Sequence, residues 1–146
     1  MVEETDLEKL EFLKLRFPRL IPLELIENVK GRTFTPEQFY SYQEAQVKYE
    51  NPGNLLYALI NSDKSKIHGY LWAELSQLDG SMFVNTFSID KDYWFKGKAI
   101  PKVITFLEFL KHKHKCERIF WITTNEKFFL KHGFKRSKNV LMEYQV

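Results

Sequence analysis

One segment constrains the fold more than any other: a β-branched stretch ends at Asp90, and a long helical pattern begins soon after it, at Ala99. The helix of about Ala99–His114 places Ala99, Val103, Phe106, Leu107 and Leu110 on one face. Arg118–Thr124 is apolar on both sides, which predicts a strand in the centre of a sheet. Residues 82–124 therefore predict a right-handed β-α-β crossover between parallel strands.

The loop inside this crossover predicts an anion site. It is basic, it carries Gly97, and Pro101 stands in the first turn of the helix that follows. The first turn of a helix leaves backbone N–H groups without partners, and the helix dipole favours negative charge at that end. A phosphate group on a cofactor is the ligand that this arrangement favours.

The N-terminal third is predicted to be helical. Residues 6–17 show apolar residues at helical spacing up to Pro18, and a second short helix begins at Pro22. Thr35-Pro36-Glu37-Gln38 has the pattern of a capping box, with proline at the first helical position of a helix that reaches about Tyr49. No clear first strand stands in residues 1–50.

The middle of the chain changes to the period of strands. Asn54–Asn61, Ile67–Gln77 and Met82–Asp90 are separated by polar turns and predict an antiparallel meander. Beyond the crossover, the pattern predicts a short helix at Glu126–Lys131, then a final strand pair, Phe134–Lys135 and Val140–Tyr144. The expected fold is a single α+β domain, 1–146, with a mixed sheet and extra N-terminal helices.

Composition excludes several classes of protein. A 146-residue chain with 44% hydrophobic residues and thirteen Phe can bury an aromatic-rich core. Its single cysteine, Cys116, excludes an internal disulfide framework and a zinc site made of several cysteines. The first residues are acidic, and no apolar run approaches the ~20 residues of a membrane helix. We expect a cytoplasmic protein without a metal site and without a membrane partner.

Charge is unevenly distributed along the chain. Residues 86–146 carry thirteen Lys and Arg against six Asp and Glu, whereas residues 1–85 have an acidic excess. A basic C-terminal half suits an anionic ligand, either a polyphosphate cofactor or a nucleic acid. Lys111, Lys113 and Lys115 are better explained as a solvated helix end that favours the helix dipole.

The order of elements and three local patterns resemble the GNAT superfamily of acyl-CoA N-acyltransferases over about residues 54–146. Residues 94–99, Trp-Phe-Lys-Gly-Lys-Ala, stand where the family has Gln/Arg-x-x-Gly-x-Gly/Ala; the glycine and the last small residue match, and Trp94 does not. Ile89 lies at the family's spacing before the loop glycine. Residues 125–134 are similar to the family's Asn…Phe-Tyr-Glu-Lys-x-Gly-Phe ending.

The resemblance implies an acyl-CoA co-substrate, most simply acetyl-CoA. Its pyrophosphate would lie against backbone N–H groups of the loop, with Lys96 and Lys98 adding charge. Its pantetheine arm would pair with the strand near Phe87 and Ile89, which separates from the next strand in this family. The implied cofactor-binding residues are Phe87, Ile89, Phe95, Lys96, Gly97, Lys98, Ala99, Asn125 and Phe129. Residues 1–50 would line the acceptor side.

The chain departs from the family pattern at the positions of the residues that perform the chemistry. The tyrosine that protonates the leaving thiolate in many members is replaced by Phe129, and the position of a basic glutamate is Phe83. The short spacing between Asn125 and Phe129 shortens the intervening helix by about one turn. Glu74 is a substitute base that must reach the amine directly or through one water, and an exposed, solvated carboxylate is the alternative. His68 is more simply explained as a surface residue, His132 as a solvated histidine of a turn, and Cys116 as an ordinary small residue before a strand.

Three functions follow as hypotheses. The first is N-acyl transfer by direct attack of a small-molecule or protein amine on the bound thioester, which positioning alone can accelerate. The second is a protein of the same fold that binds without turnover, because the family's acid and base are missing. The third is a nucleic-acid-associated protein, for which the basic half and the aromatics beside lysines are the motive.

Overall fold

The computed structural model describes residues 7–29, 32–76, 78–94, 97–123, 126–138, 142 and 144. Within these ranges the chain forms one five-stranded mixed sheet with helices on both faces. The strands follow one another across the sheet in chain order: β1 Glu11–Lys14, β2 Asn54–Ile60, β3 Ile67–Leu75, β4 Ser81–Ile89 and β5 Arg118–Trp121. The pairs up to β3–β4 are antiparallel, and β4–β5 is parallel. This confirms the α+β class, the meander and the crossover.

The helices begin and end close to where the sequence predicted. They are α1 Leu23–Glu27, α2 Pro36–Lys48, α3 Ala99–Lys113 and α4 Glu126–Lys131, with 3₁₀ turns at Pro18–Leu20 and Lys91–Tyr93. The capping box is present: the Gln38 N–H donates to the Thr35 hydroxyl at 3.1 Å, and the Gln38 side chain accepts from the Thr35 N–H at 2.8 Å. None of the described helices is long and apolar enough to cross a membrane.

The helix predicted over residues 6–17 is wrong. Glu11–Lys14 is an edge strand that pairs with β2, with Glu11 opposite Ile60 and Lys14 opposite Tyr57. Among the described residues of this stretch, only Leu7 and Glu8 are helical. Leu7 and Leu10 are buried beside Leu59. The apolar spacing that resembled a helical face therefore belongs to a short turn that leads into a strand. Pairing with an exposed strand edge has overridden the local pattern.

The prediction that β5 lies centrally is not borne out within the described residues. β5 is the last strand of the described sheet, and its residues are half-buried or exposed. Phe134–Lys135, predicted as a strand, has no regular structure. Most of the other predicted partner, Val140–Tyr144, lies outside the described residues.

Each face of the sheet has its own hydrophobic core. α3 covers one face through Val103, Leu107 and Leu110, which pack with β-residues such as Leu71, Ala73, Met82 and Val84. α1 and α2 cover the other face through residues that include Leu25, Ile26 and Phe39. Tyr70 and Leu56 are buried on that second face, and Trp72 packs against it. Burial on both faces explains why β2 reads as a nearly continuous apolar run.

Candidate functional site

The main feature of the site is a gap that opens between β4 and β5. The two strands pair from Ser81 opposite Arg118 to Val84 opposite Trp121, and there the pairing ends. β4 continues to Ile89, whereas β5 ends at Trp121. Thr86–Ile89 is therefore paired with β3 on one edge, and Asn85–Ile89 has no strand partner on the other edge among the described strands.

A β-bulge in β4 coincides with the point where the strands part. Trp72 of β3 lies opposite Thr86, and the next residue, Ala73, lies opposite Val84, which leaves Asn85 as an extra residue in β4. A bulge bends its strand and increases the local twist. The bulge thus lies directly beside the last β4–β5 pair and turns the rest of β4 away from β5.

The backbone of Phe87 and Ile89 faces the gap. The Asp90 N–H donates to the His68 carbonyl of β3 at 2.8 Å, and backbone groups alternate between the two edges of a strand. Ser88 consequently turns its backbone groups toward β3, while Phe87 and Ile89 turn theirs toward the gap. The Ile89 carbonyl already accepts a hydrogen bond from the Trp94 indole N–H at 2.9 Å. The N–H and C=O of Phe87 and the N–H of Ile89 have no hydrogen-bond partner among the described residues and remain to pair with an added strand.

The loop at the end of the gap leaves helix α3 uncapped. Lys98 is the N-cap residue of α3 and provides no side-chain cap, and Gly97 and Lys98 are exposed. Gly97 has φ +69°, in the left-handed region that glycine adopts readily, and no atom lies within 4 Å of a Cβ built there. In the described part of the loop, the N–H groups of residues 97–100 have no acceptor.

Packing fixes the loop beside the end of β4. Ile89 and Tyr93 are buried in one cluster, against which Trp94, Ala99 and Phe87 pack. These contacts bring four of the sequence-predicted cofactor residues, Phe87, Ile89, Gly97 and Ala99, to one end of the sheet, with Lys98 between the last two. Phe95, Lys96 and Asn125 lie outside the described residues.

Contacts of the half-buried Asp90 carboxylate hold the other side of the same turn. The Asp90 carboxylate is 2.9 Å from Nδ1 of His68 and 3.8 Å from the Lys66 ammonium. The His68 ring also stands edge-on to Tyr93 at 5.8 Å. His68 is only 15% exposed in its side chain, so the interpretation as a surface residue is wrong. It is a structural residue of the turn.

Phe129 takes part in an aromatic cluster near the point where the strands part. Its ring meets Trp121 at 4.8 Å and Phe134 at 5.2 Å, edge-on in both cases. Trp121 is the last paired residue of β5. The Trp121 ring therefore separates Phe129 from the closed end of the gap. Phe129 contributes an apolar surface there and has no proton to donate.

Glu74 is held by two side chains that sequence reasoning did not identify. Tyr42 of α2 donates its hydroxyl to one carboxylate oxygen at 2.7 Å, and the Asn85 amide donates to the other at 2.7 Å. Burial, and secondarily the hydrogen bond to Glu74, raises the pKa of Tyr42 to about 12, so this phenol keeps its proton near neutral pH. Asn85 could not be found from sequence because it meets Glu74 through the bulge.

A further cavity lies away from this gap. It measures about 680 Å³ and lies between the C-terminal half of α3, β5 and residues 132–138. Cys116 is buried near the end of α3, and burial raises the pKa of its thiol, so it is no nucleophile at neutral pH. His132 lines the cavity rather than the gap.

Comparison with solved structures identifies the architecture. No protein-family model matches the chain, and no curated protein matches it significantly. A possible acetyltransferase from Clostridium difficile 630 superposes with a TM-score of 0.71 at 12% identity, over 94% of this chain and 97% of its own. A GNAT family acetyltransferase from Staphylococcus aureus gives 0.68 at 16% identity, over 94% and 99%.

A third structure was solved with a coenzyme A compound. It is an aminoglycoside N-acetyltransferase in complex with the bisubstrate analogue CoA-S-monomethyl-acetylneamine, and it superposes with a TM-score of 0.67 at 9% identity, over 94% of this chain and 98% of its own. All three likenesses extend over nearly the whole length of both chains. The chain therefore has the fold of the GNAT acetyltransferases, as its loop and strand order predicted.

Proposed function

We propose that the protein is an acyl-CoA-dependent N-acyltransferase, with acetyl-CoA as the simplest donor. The observation that carries this proposal is the open edge of Asn85–Ile89 beside the uncapped first turn of α3. Such an edge accepts an extended chain with amide groups, and such a helix end accepts a phosphate. Coenzyme A joins these two features in one molecule, a pantetheine arm attached to a pyrophosphate.

The residues present fit this co-substrate. The space around Gly97 lets a pyrophosphate approach the backbone closely, and Lys98 adds positive charge beside it. The free backbone groups of Phe87 and the N–H of Ile89 would bind the pantetheine arm. Phe95, Lys96, Asn125 and Phe129 remain proposed members of the same site. The solved relative that carries a CoA bisubstrate analogue supports the same use of this fold.

The reaction we propose is direct attack of an acceptor amine on the thioester carbonyl. Backbone N–H groups that face the gap would hold the thioester and stabilise the oxyanion that forms on its carbonyl oxygen. A thioester is already activated, so holding the amine against it provides much of the acceleration. Phe129 cannot protonate the leaving thiolate, and that proton must come from another group or from water.

Calorimetry with acetyl-CoA tests the proposal directly. We expect one site with a dissociation constant in the micromolar range, and release of free thiol when a mixture of primary amines is added. Absence of binding at high micromolar acetyl-CoA would refute the proposal. Binding without thiol release from any amine would instead favour the protein that binds without turnover, which the replacement at Phe129 motivates.

The nucleic-acid alternative has its own signature. A protein that neutralises several phosphates loses affinity steeply as salt rises. We expect binding of DNA and RNA to be weak by comparison with that of acetyl-CoA. A nanomolar, strongly salt-dependent affinity for either nucleic acid would favour the alternative.

A further inference from the structure

The side chains around Glu74 form a small cluster on the sheet face that α2 covers. Tyr42, on α2, and Asn85, at the bulge, each donate a hydrogen bond to a different oxygen of the Glu74 carboxylate. Two donors on separate elements fix the orientation of the carboxylate. Glu74 remains half-buried, and the Tyr42 side chain is 40% exposed, so the cluster is open to solvent.

This cluster lies beside the closed end of the gap. Asn85 is the residue of β4 that directly follows the last β4–β5 pair, Val84 opposite Trp121. An extended arm that starts at the Gly97 loop and follows β4 from Ile89 to Asn85 covers about 13 Å at ~3.3 Å per residue. The arm must end where the strands meet. Its thioester would then lie beside the amide that holds Glu74.

The surface around Glu74 is aromatic. Glu74 and Phe83 are direct cross-strand neighbours, and Phe83 is the neighbour of Phe120 on β5. The Phe83 side chain is 42% exposed and stacks on Phe120 with ring centroids 5.2 Å apart. Tyr42 adds a second exposed ring, packed on Trp72 at 5.5 Å. A fixed carboxylate surrounded by exposed rings matches a cation attached to an apolar body.

Positive charge near the cluster is directed elsewhere. The Arg118 guanidinium stands over the Phe120 ring, 5.4 Å from its centroid, and is 3.7 Å from the Asp79 carboxylate. Arg118 pairs with Ser81, at the far end of β4 from the gap. Among the described residues, no lysine, arginine or histidine side chain pairs with Glu74, and the charge of Arg118 is directed to Asp79.

We propose that Glu74 is the catalytic base of the acceptor site and that the acceptor is a cationic primary amine on an apolar or aromatic body, without an anionic group. This inference rests on the proposed function and adds its substrate class. Tyr42 and Asn85 are positioning residues that aim the Glu74 carboxylate. Phe83 and Phe120 bind the body of the acceptor.

Every proton of the proposed reaction is accounted for. The acceptor arrives as an ammonium ion, gives one proton to solvent, and attacks as the free amine. Its nitrogen forms the bond to the thioester carbon while the C–S bond breaks and leaves its electron pair on sulfur. Glu74 takes the proton that the nitrogen then sheds and returns it to the thiolate, which leaves as the free thiol. This route requires no proton from Phe129.

Two probe amines test the substrate class. 2-Phenylethylamine and phenylalanine share an aromatic body and a primary amine, and they differ by a carboxylate. We expect the wild-type protein to acetylate 2-phenylethylamine with a kcat/KM at least ~10-fold higher, because the carboxylate would meet Glu74. Equal rates, or a preference for phenylalanine, would overturn the inference. So would acetyl-CoA binding without turnover of either amine.

Variants of the cluster test the roles of its members. Glu74→Gln should lower kcat by ~100-fold or more, the usual effect of removing a general base, and flatten the acidic limb of the pH profile. Tyr42→Phe should keep that limb and mainly raise the KM for 2-phenylethylamine. Glu24→Gln, on the exposed face of α1, is the matched control and should leave both constants unchanged.

Binding of acetyl-CoA separates this inference from the proposed function. The dissociation constant of acetyl-CoA and the thermal unfolding midpoint of Glu74→Gln should equal those of the wild type. Wild-type kcat/KM in Glu74→Gln, with acetyl-CoA binding intact, would overturn the base and leave the proposed function standing. No acetyl-CoA binding by the wild type would remove both.

Discussion

The two halves of strand β4 differ in what lies along their edges. Ser81–Val84 pairs with a strand on each edge and buries Met82 and Val84 under α3. Thr86–Ile89 pairs on one edge only, and its other edge faces the gap. One inserted residue, Asn85, separates a half that stabilises the fold from a half whose backbone is free to bind a ligand.

The first half should be sensitive to loss of volume. Met82 is fully buried between the sheet and α3. Met82→Ala should lower the free energy of unfolding by about 2–5 kcal/mol, because it removes buried apolar surface and leaves a cavity. Urea denaturation measures this, with Met142→Ala, at an 83% exposed position, as the control that should change little. Equal effects of the two changes would contradict the burial described here.

The second half should be sensitive to anything that moves β4 away from β3. A Cβ at Gly69 would lie 2.5 Å from the Ser88 carbonyl oxygen, a backbone atom that cannot move alone. Gly69→Ala should cost roughly 1–3 kcal/mol of unfolding free energy and weaken acetyl-CoA binding through Ile89. Gly53→Ala is the control, because its nearest contacts would be 3.4 and 3.5 Å. A stable Gly69→Ala protein with unchanged binding would show that the two strands are not so close.

The loop next to the second half should affect binding more than stability. Gly97 has φ +69°, which strains a β-branched side chain by roughly 1–2 kcal/mol and reshapes the loop. Gly97→Val should raise the dissociation constant of acetyl-CoA at least ~10-fold, which calorimetry measures.

Gly133→Val provides a matched control for this change. Gly133 also has a positive φ, +91°, and also has open space around its Cβ, but it follows α4. Its strain should therefore lower stability by a similar amount and leave acetyl-CoA binding nearly unchanged. If both variants bind equally weakly, the Gly97 loop is not the phosphate site.

The smallest expected effect concerns His114 at the end of α3. Burial, with help from Lys113 and Lys14, holds the pKa of His114 below its ordinary value, and its Nε2 has no partner. The folded protein thus binds this proton less readily than the unfolded chain does. Stability from the neutral ring is present above the unfolded pKa, about 6.5, and is lost as the pH falls below it.

Thermal unfolding in buffers on both sides of this pKa checks the prediction. The wild type should lose stability between about pH 7.5 and pH 5.5, and His114→Gln should lose less over the same interval. An identical pH dependence of the two proteins would assign the effect to other groups.

Much of the fold could be predicted because its elements carry local signals. The capping box at Thr35 and the polar turns between β2, β3 and β4 determine their boundaries almost alone. β1 could not be predicted, since its apolar spacing is also that of a helix and only the free edge of β2 decides between them. β5 showed apolar residues on both faces, which indicates burial but not a position in the sheet.

The candidate site also has a part that could be predicted from the sequence and a part that could not. The loop and the gap-facing strand residues could be predicted, because Gly97 and Ile89 lie at a spacing that can be recognised in the sequence. The environment of Glu74 depends on the bulge at Asn85 and on the placement of α2 over the sheet, which brings Tyr42 within 2.7 Å. Neither has a sequence signature, so the carboxylate could be named as a candidate but not distinguished from a solvated one.

Amide hydrogen exchange at Phe87 and Ser88 tests the central claim most directly. The two N–H groups are neighbours in β4, and alternation directs that of Ser88 to β3 and that of Phe87 into the gap. We predict that the Phe87 amide exchanges much faster than that of Ser88 in the free protein, and that saturating acetyl-CoA protects Phe87 while Ser88 stays protected throughout. A Phe87 amide already protected without ligand, or unaffected by saturating acetyl-CoA, would contradict the account.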